Sequence, residues 1–502
     1  MTTTPTQTND SGASLEEFGY TQELKRGTGK FASFALAFAF VSIATGIFTA
    51  YGAMLNSSGP AGIWSWPIVV IGQLMVSFIF GALVARIPVT GYAYQWMSRL
   101  ANPVLGWIMG WVLFTFLIVV LVAVDYTIAS TVLPVLIGYT GNAVNAWIIS
   151  AVVLIVQALL VGFSTRWTER VNNFAVGAEL IGMVLLVLLM LVVGFLAKEL
   201  NPGNLFNTGA LPAADYFSFG TLNHVGPWVM GTLLGAFTIV GFEAAANLAE
   251  ETKNPATVVP RAMWQAVLAS GVLGFFFLIV VTMLVGDPIA LAKSGTPIAD
   301  IIARVLGPVM GNALLILVVI AIFACGMVIL MSGVRLTWAM SRDARFPGHQ
   351  IFNKISPKFG TPLAATGFFL IMAQTILAVF AMQTDALFSL FGAATLLPAV
   401  IYAAIVVLYI VKRKTLPKSK GFNLGRFEVP VIVLASAWLI FELLIFRDAS
   451  FINSWIYVLV MLAIGGLYLV YLLIARKGAA GISMPDLHSV GAELDADEAA
   501  KH

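Results

Sequence analysis

Apolar runs of about twenty residues recur along the chain from Phe31 to Ile474, and runs of that length close most routes to a soluble fold. As a helix, each one crosses a hydrocarbon layer roughly 30 Å thick. Backbone groups find no water partner there, so only helices or a closed barrel satisfy them. These runs are too long and too continuously apolar for barrel strands. Twelve spans fit the pattern, at 33–54, 63–85, 104–132, 146–163, 174–197, 228–248, 264–285, 311–334, 362–383, 387–411, 429–446 and 455–474. Composition agrees: 60% of residues are hydrophobic and 10% charged, where a soluble domain carries roughly a quarter charged. The expected fold class is an all-α integral membrane protein with about 12 transmembrane helices.

An even number of spans puts both termini on one side, and basic residues say which. Of the 27 Lys and Arg residues, only Lys198, Lys293, Arg304 and Arg447 fall in segments of the opposite side. Both termini are therefore expected in the cytoplasm, with the chain spanning the cell membrane many times. The net charge of +3 is a topology signal and does not call for a nucleic-acid partner. No apolar stretch precedes Phe31, so no cleavable signal peptide is expected. Residues 1–30 are polar and 475–502 turn acidic through Glu493, Asp495, Asp497 and Glu498; both ends have the composition of disordered segments.

Enzyme chemistry finds no foothold. His224, His349, His488 and His502 lie in loops or the tail, none at metal-ligand spacing. A Gly-x-Ser-x-Gly elbow and a Walker A loop are both missing. Gly27-Thr28-Gly29-Lys30 lacks the upstream glycine and the following Ser or Thr of a phosphate loop. The single cysteine, Cys325, excludes a disulfide within the chain and reads as a structural thiol. No catalytic residue, metal or cofactor is expected.

A solute carrier needs polar backbone at the membrane midplane, and discontinuous helices supply it. Ser42-Ile43-Ala44-Thr45-Gly46-Ile47-Phe48 in the first span places small, β-branched and glycine residues at mid-depth. Phe237-Thr238-Ile239-Val240-Gly241-Phe242-Glu243 repeats the arrangement in the sixth. Four acidic residues and no basic ones fall inside these twelve spans: Asp125, Glu179, Glu243 and Glu442. A charge at a helix centre costs about 2.5–3.5 kcal/mol on insertion scales, so each is a functional candidate.

From about Phe18 to Ile474 the chain resembles the amino acid, polyamine and organocation (APC) superfamily of permeases. Four stretches carry the resemblance: Ala44-Thr45-Gly46-Ile47-Phe48; Pro88-Val89-Thr90-Gly91-Tyr92-Ala93-Tyr94-Gln95-Trp96; Gly241-Phe242-Glu243 through Glu250-Glu251-Thr252-Lys253-Asn254-Pro255 to Pro260-Arg261; and Met340-Ser341-Arg342-Asp343-Ala344-Arg345-Phe346-Pro347. Phe18-Gly19-Tyr20 and Gly59-Pro60 are most similar to the branch of amino acid, γ-aminobutyrate and choline permeases. The resemblance implies a five-plus-five inverted repeat with broken helices 1 and 6. Its parts would be repeats at 31–197 and 228–411, an extracellular loop at 198–227, a basic cytoplasmic loop at 412–428 and peripheral helices 11 and 12 within 429–474.

For the site, the resemblance implies a pocket at Ala44, Thr45, Gly46, Ile47, Phe237, Thr238, Ile239 and Gly241, with amides of the first break taking a substrate carboxylate. Where relatives have Gly-Ser-Gly this chain has Ala44-Thr45-Gly46, which narrows that end. Phe237 matches a ring that closes over substrate. Glu243 matches a gating carboxylate, and Asp125 flanks the site within reach of a substrate ammonium. Glu179 stands where sodium-independent relatives place a lysine, so either a cation binds beside it or it carries a proton itself. Glu442, in a peripheral span, reads as structural. The expected function is a secondary permease for a small amino acid or amine such as γ-aminobutyrate, coupled to H+ or Na+ or working by exchange. A choline or polyamine carrier, and a transporter-like sensor or channel, remain open alternatives.

Overall fold

The architecture comes from a computed structural model that describes residues 15–475 apart from 25, 140–141, 213, 382–385 and 420. The acidic tail and residues 1–14 lie outside the described residues. Among those described the regular structure is helical, with no strand beyond two isolated bridges. Eleven helical stretches are long and apolar enough to cross a membrane. The twelfth crossing is the sixth span, which is broken into two shorter helices. Span 1 comprises Lys30–Val41 and Ile43–Ser58, span 2 Trp66–Val84, span 4 Ala143–Phe163 and span 5 Thr165–Leu196. Span 3 is Pro103–Thr127, extended through a π-bulge at Ile128–Val132. Span 6 is Pro227–Thr238 followed by the short helix Ala244–Asn247. Span 7 is Pro255–Met283, and span 8 is the part of Pro297–Arg342 beyond a kink at Gly307, whose φ of 74° ends the preceding helix. Spans 9 to 12 are Leu363–Ala381, Ala386–Lys412, Glu428–Ile445 and Ile452–Ala475.

The packing repeats with a shift of five. Spans 1, 2, 3 and 4 touch spans 6, 7, 8 and 9 respectively; span 5 packs on span 8 as span 10 packs on span 3; span 4 meets span 8 as span 9 meets span 3. Five crossings are an odd number, so the second set starts from the opposite face and the repeat is inverted. Spans 11 and 12 lie outside it, against spans 2 and 10 and against spans 3 and 10. Long apolar residues on spans 4, 5, 9, 11 and 12, such as Ile181, Leu188, Ile371, Val433 and Leu467, face outward, as lipid contact requires.

Two helices run further than their apolar runs indicate. Span 7 starts at Pro255, capped by the left-handed Asn254, and span 8 continues to Arg342. Helix extends there because Arg335 and Arg342 find carboxylates across the face of the molecule. The composition of residues 15–28 reads as solvated, yet 15–24 and 26–28 form a pinned strap on that face. Leu15 and Phe18 are buried, Leu24 packs on Trp338 and Ala339, and Gly27 and Thr28 donate N–H bonds to the Glu251 carbonyl. Aromatic and backbone contacts there outweigh the local polarity.

Candidate substrate and coupling site

In span 1 the helix stops at Val41 and restarts at Ile43, with Ser42 alone between them at φ 28° and ψ 99°. The break therefore falls on Ser42, and Gly46 lies in the first turn of the second helix. Each break leaves backbone groups that need partners. The Ala44 N–H donates to Glu179 Oε1 at 3.2 Å, and the Ser42 hydroxyl donates to the same oxygen at 3.0 Å. The Thr45 N–H and hydroxyl both reach Ser42 Oγ, at 3.3 and 2.8 Å, and the Gly46 N–H bonds the Ser42 carbonyl at 3.0 Å. On the carbonyl side, the Cys325 thiol of span 8 donates to Phe40 O at 3.3 Å.

Span 6 breaks over Ile239–Glu243, where Gly241 has a φ of 87°. Its N–H donates to the Tyr402 hydroxyl at 3.0 Å. Tyr402 of span 10 in turn donates to Glu243 Oε2 at 2.7 Å, and Tyr92 donates to Glu243 Oε1 at 3.2 Å. The two breaks touch: a Cβ on Gly46 would overlap the Thr238 side chain, and one on Gly241 would overlap the Phe40 ring. Glycine at these two places permits the approach of backbone to neighbouring helix. Ile47 and Ile239 are fully buried beside them.

Above the breaks, a cavity of about 220 Å³ opens away from the strap. Ala53, Met54, Met230 and Leu233 form its walls, Phe391 lies at its base, and His224 and Asp448 stand at its mouth. The Phe237 ring lies 4.8 Å from Phe391, centroid to centroid, and is itself buried. Asp448 ties loops together by accepting N–H bonds from Val225 at 2.7 Å and Ser450 at 2.9 Å. Burial alone would lift its carboxyl, but those bonds, the Ser450 hydroxyl and the adjacent His224 hold it below the ordinary aspartate value.

The opposite face is shut. Arg335 pairs with Glu251 at 2.6 Å and Arg342 with Glu250 at 3.1 Å, joining the end of span 8 to the segment after span 6. Glu250 also accepts the Thr90 N–H, and Asn247 accepts the Gly91 N–H while donating to Ser332 O. The strap closes over this network. The Tyr20 hydroxyl donates to Asp343 at 2.8 Å, and its ring lies 3.7 Å from the Arg342 guanidinium. Burial and the Asp343 carboxylate push that hydroxyl up to about 12, so Tyr20 remains a donor.

Of the other intramembrane acids, Asp125 is turned toward spans 4 and 8. Gln157 donates to its Oδ1 at 2.8 Å, Gly326 packs against the pair, and Oδ2 has no hydrogen-bond partner. Glu442 is buried between spans 11 and 2, 3.5 Å from Gln73. Sequence reasoning gave no separate role to Ser42 or Tyr92, which lie inside stretches it singled out, and missed Gln157, Tyr402, Phe391 and the buried Arg335. Of these four only Arg335 carried a local signal, as a basic residue one position beyond an apolar run; the others are ordinary span residues until their distant partners are known. No group of three His, Cys, Asp or Glu suited to a metal occurs among the described residues.

Comparison with known proteins gives one family. A family model described as amino acid permease matches residues 29–474. Among relatives, the amino-acid permease BAT1 of Arabidopsis thaliana is 25% identical over 467 residues, covering 86% of this chain and 87% of its own. The BAT1 homolog of Oryza sativa subsp. japonica is 26% identical over 460 residues, with 86% of each chain covered. The GABA-specific permease of Saccharomyces cerevisiae is 24% identical over 445 residues, covering 83% of this chain and 75% of the permease.

Proposed function

This chain belongs to the amino acid permease family, and on that premise we propose that it is a secondary active transporter carrying a small amino acid, or an amine such as γ-aminobutyrate, by alternating access. It is a multi-pass membrane permease and not an enzyme. The observation that supports the proposal is the meeting of two broken helices at Gly46 and Thr238, between a shut face and an open cavity. Half-helix ends at mid-depth offer N–H and C=O groups to a zwitterion where side chains alone offer few.

In this reading Ala44, Thr45, Gly46 and Ile47 receive the substrate carboxylate, and Thr238, Ile239 and Gly241 receive the amine end. Phe237 with Phe391 separates the site from the vestibule. Glu179 and Glu243 couple ion movement, H+ or Na+, to rearrangement of the broken helices. Asp125 would enter the site only by leaving Gln157. The bias of basic residues supports a cytoplasmic strap face with both termini inside, and the cell membrane as location.

An organic-cation or polyamine carrier is the second reading, and one observation favours it: the Ala44 N–H is already given to Glu179. The test is a thermal-shift panel of amino acids, γ-aminobutyrate, choline and putrescine on purified protein, since a ligand that binds only the folded state raises its apparent stability. Saturable counterflow of any stabilising ligand in proteoliposomes confirms transport. Stabilisation by choline or putrescine and by no amino acid transfers the assignment to the second reading. Binding without flux makes the chain a sensor.

A further inference from the structure

The geometry points to Glu179 as a resident anion of the span-one break, which a substrate carboxylate must displace and which takes up one proton when it leaves. The inference rests on reading that break as the carboxylate subsite. Helix Ile43–Ser58 begins at the break, and its N-terminal end favours negative charge. In this structure that charge comes from the protein: Glu179 Oε1 holds both the Ala44 N–H and the Ser42 hydroxyl. Thr45 and Gly46 direct their amides back to Ser42. The Ile43 N–H also faces the Glu179 carboxylate, so an incoming carboxylate enters by taking donors that Glu179 holds.

What becomes of Glu179 follows from its surroundings. Beside it lies a void of about 10 Å³, bounded by Ala44, Ala178, Gly182, Met183, Leu186, Leu314, Leu317, Val318 and Ala321. On that side the released carboxyl meets only apolar side chains, a setting without side-chain donors. An ionised carboxylate cannot rest there without a heavy desolvation cost, whereas a neutral one can. The packed elements supply no cation to change that outcome. Span 4 carries no ionisable residue, span 7 only Arg261 in its second turn, and span 1 only Lys30 at its start and Tyr51, which is bonded to Thr282. Span 8 faces Glu179 with Leu314, Leu317, Val318 and Ala321; its Cys325 thiol is bonded to Phe40 O, and its Arg335 and Arg342 are paired with Glu251 and Glu250. The exchange balances: one carboxylate replaces another at the amides, and Glu179 gains one proton from solvent. No bond other than O–H is made.

The test measures protons released or taken up on binding. Full-length protein in weak buffer with a pH-sensitive dye is mixed with each common amino acid and γ-aminobutyrate, and separately with ethylamine and propylamine as carboxylate-free controls. Amino acids that raise the melting temperature are expected to draw about one proton per site from solution, and the amines none. Apparent Kd for the amino acid should rise about tenfold per pH unit above the titration of Glu179. Glu179→Gln should lose both the proton uptake and the pH dependence. Ser42→Ala, which removes one donor from Glu179, should bind the amino acid more tightly at high pH and serves if Glu179→Gln does not fold. Binding without proton uptake in the parent overturns the inference while leaving the transporter reading intact; unchanged uptake in Glu179→Gln also overturns it. Failure of every amino acid to bind removes the carboxylate subsite itself, and the inference with it.

Discussion

Replacing Arg335 with methionine tests whether the strap face is a gate. The Arg335 and Glu251 side chains are 1% and 7% exposed, 2.6 Å apart, and bridge span 8 to the segment after span 6. Methionine keeps the stem and removes the charge, leaving Glu251 buried without its partner, a loss of about 3–5 kcal/mol for a buried pair. If the pair forms only while this face is closed, that loss falls on the closed state alone. At about 1.4 kcal/mol per tenfold, the lower bound already shifts the balance toward opening by roughly a hundredfold. A cysteine at Ser332, buried where it meets Asn247, reports the change through its labelling by a membrane-impermeant maleimide. The native thiol, Cys325, is the only one in the chain and is buried, so background labelling should be low. Labelling at position 332 should rise steeply in Arg335→Met and fall back in the double variant with Glu251→Gln, which leaves no lone charge. Equal labelling in parent and Arg335→Met refutes the gate. A lowered melting temperature with unchanged labelling likewise assigns the pair to fold stability.

Three further outcomes follow from the site. Gly241→Ala places a methyl group in the Phe40 ring at a φ of 87°, adding roughly 1–2 kcal/mol of backbone strain; it and Gly46→Leu should insert in the membrane but lose counterflow, and near-normal flux in both would rule out a site at the breaks. Phe237→Ala should weaken substrate retention several-fold while Phe237→Trp keeps part of the function, since the ring packs on Phe391; unchanged kinetics in the alanine variant reduce it to packing. Asp448 has its folded value lowered, so its contribution is present above the unfolded value of about 3.9 and is lost as pH falls through the folded value; Asp448→Ala should melt below the parent at pH 7, and a gap that persists undiminished at pH 3 contradicts the assignment.

The span count, the even parity and the two broken helices were legible because each is written in contiguous residues. A hydrophobic run fixes its own crossing, and a cluster such as Ile239–Glu243 weakens its own helix. Pairings between distant spans were not legible. Nothing near Asp125 indicates that Gln157 holds it, and nothing near Glu243 indicates Tyr92 and Tyr402. The strap misled for the same reason: Tyr20 and Gln22 are polar and read as solvated, but their partners, Asp343 and the Glu250 carbonyl, lie hundreds of residues away. The first break falls inside the stretch Ser42–Phe48 but on its first residue and not on its glycine: glycine is the customary marker of a free backbone, and Ser42 does that job with a hydroxyl instead.

That substitution of serine for glycine has a mechanical consequence. A non-glycine residue at φ 28° is strained, and such strain persists only where surrounding contacts hold it. Those contacts are visible: Ser42 Oγ accepts from Thr45 twice over and donates to Glu179, while Ser42 N bonds Phe38 O. A glycine there would keep the break whatever Glu179 does. A serine ties the break to one partner on span 5, so moving that carboxylate removes a bond that keeps span 1 bent. Ser42→Gly should therefore separate the two events: substrate binds and the helix stays broken, but the state of Glu179 no longer governs the bend. The expected result is saturable exchange that continues while accumulation driven by an imposed ion gradient falls. Loss of exchange and accumulation in parallel would mean that Ser42 serves the pocket and not its link to span 5.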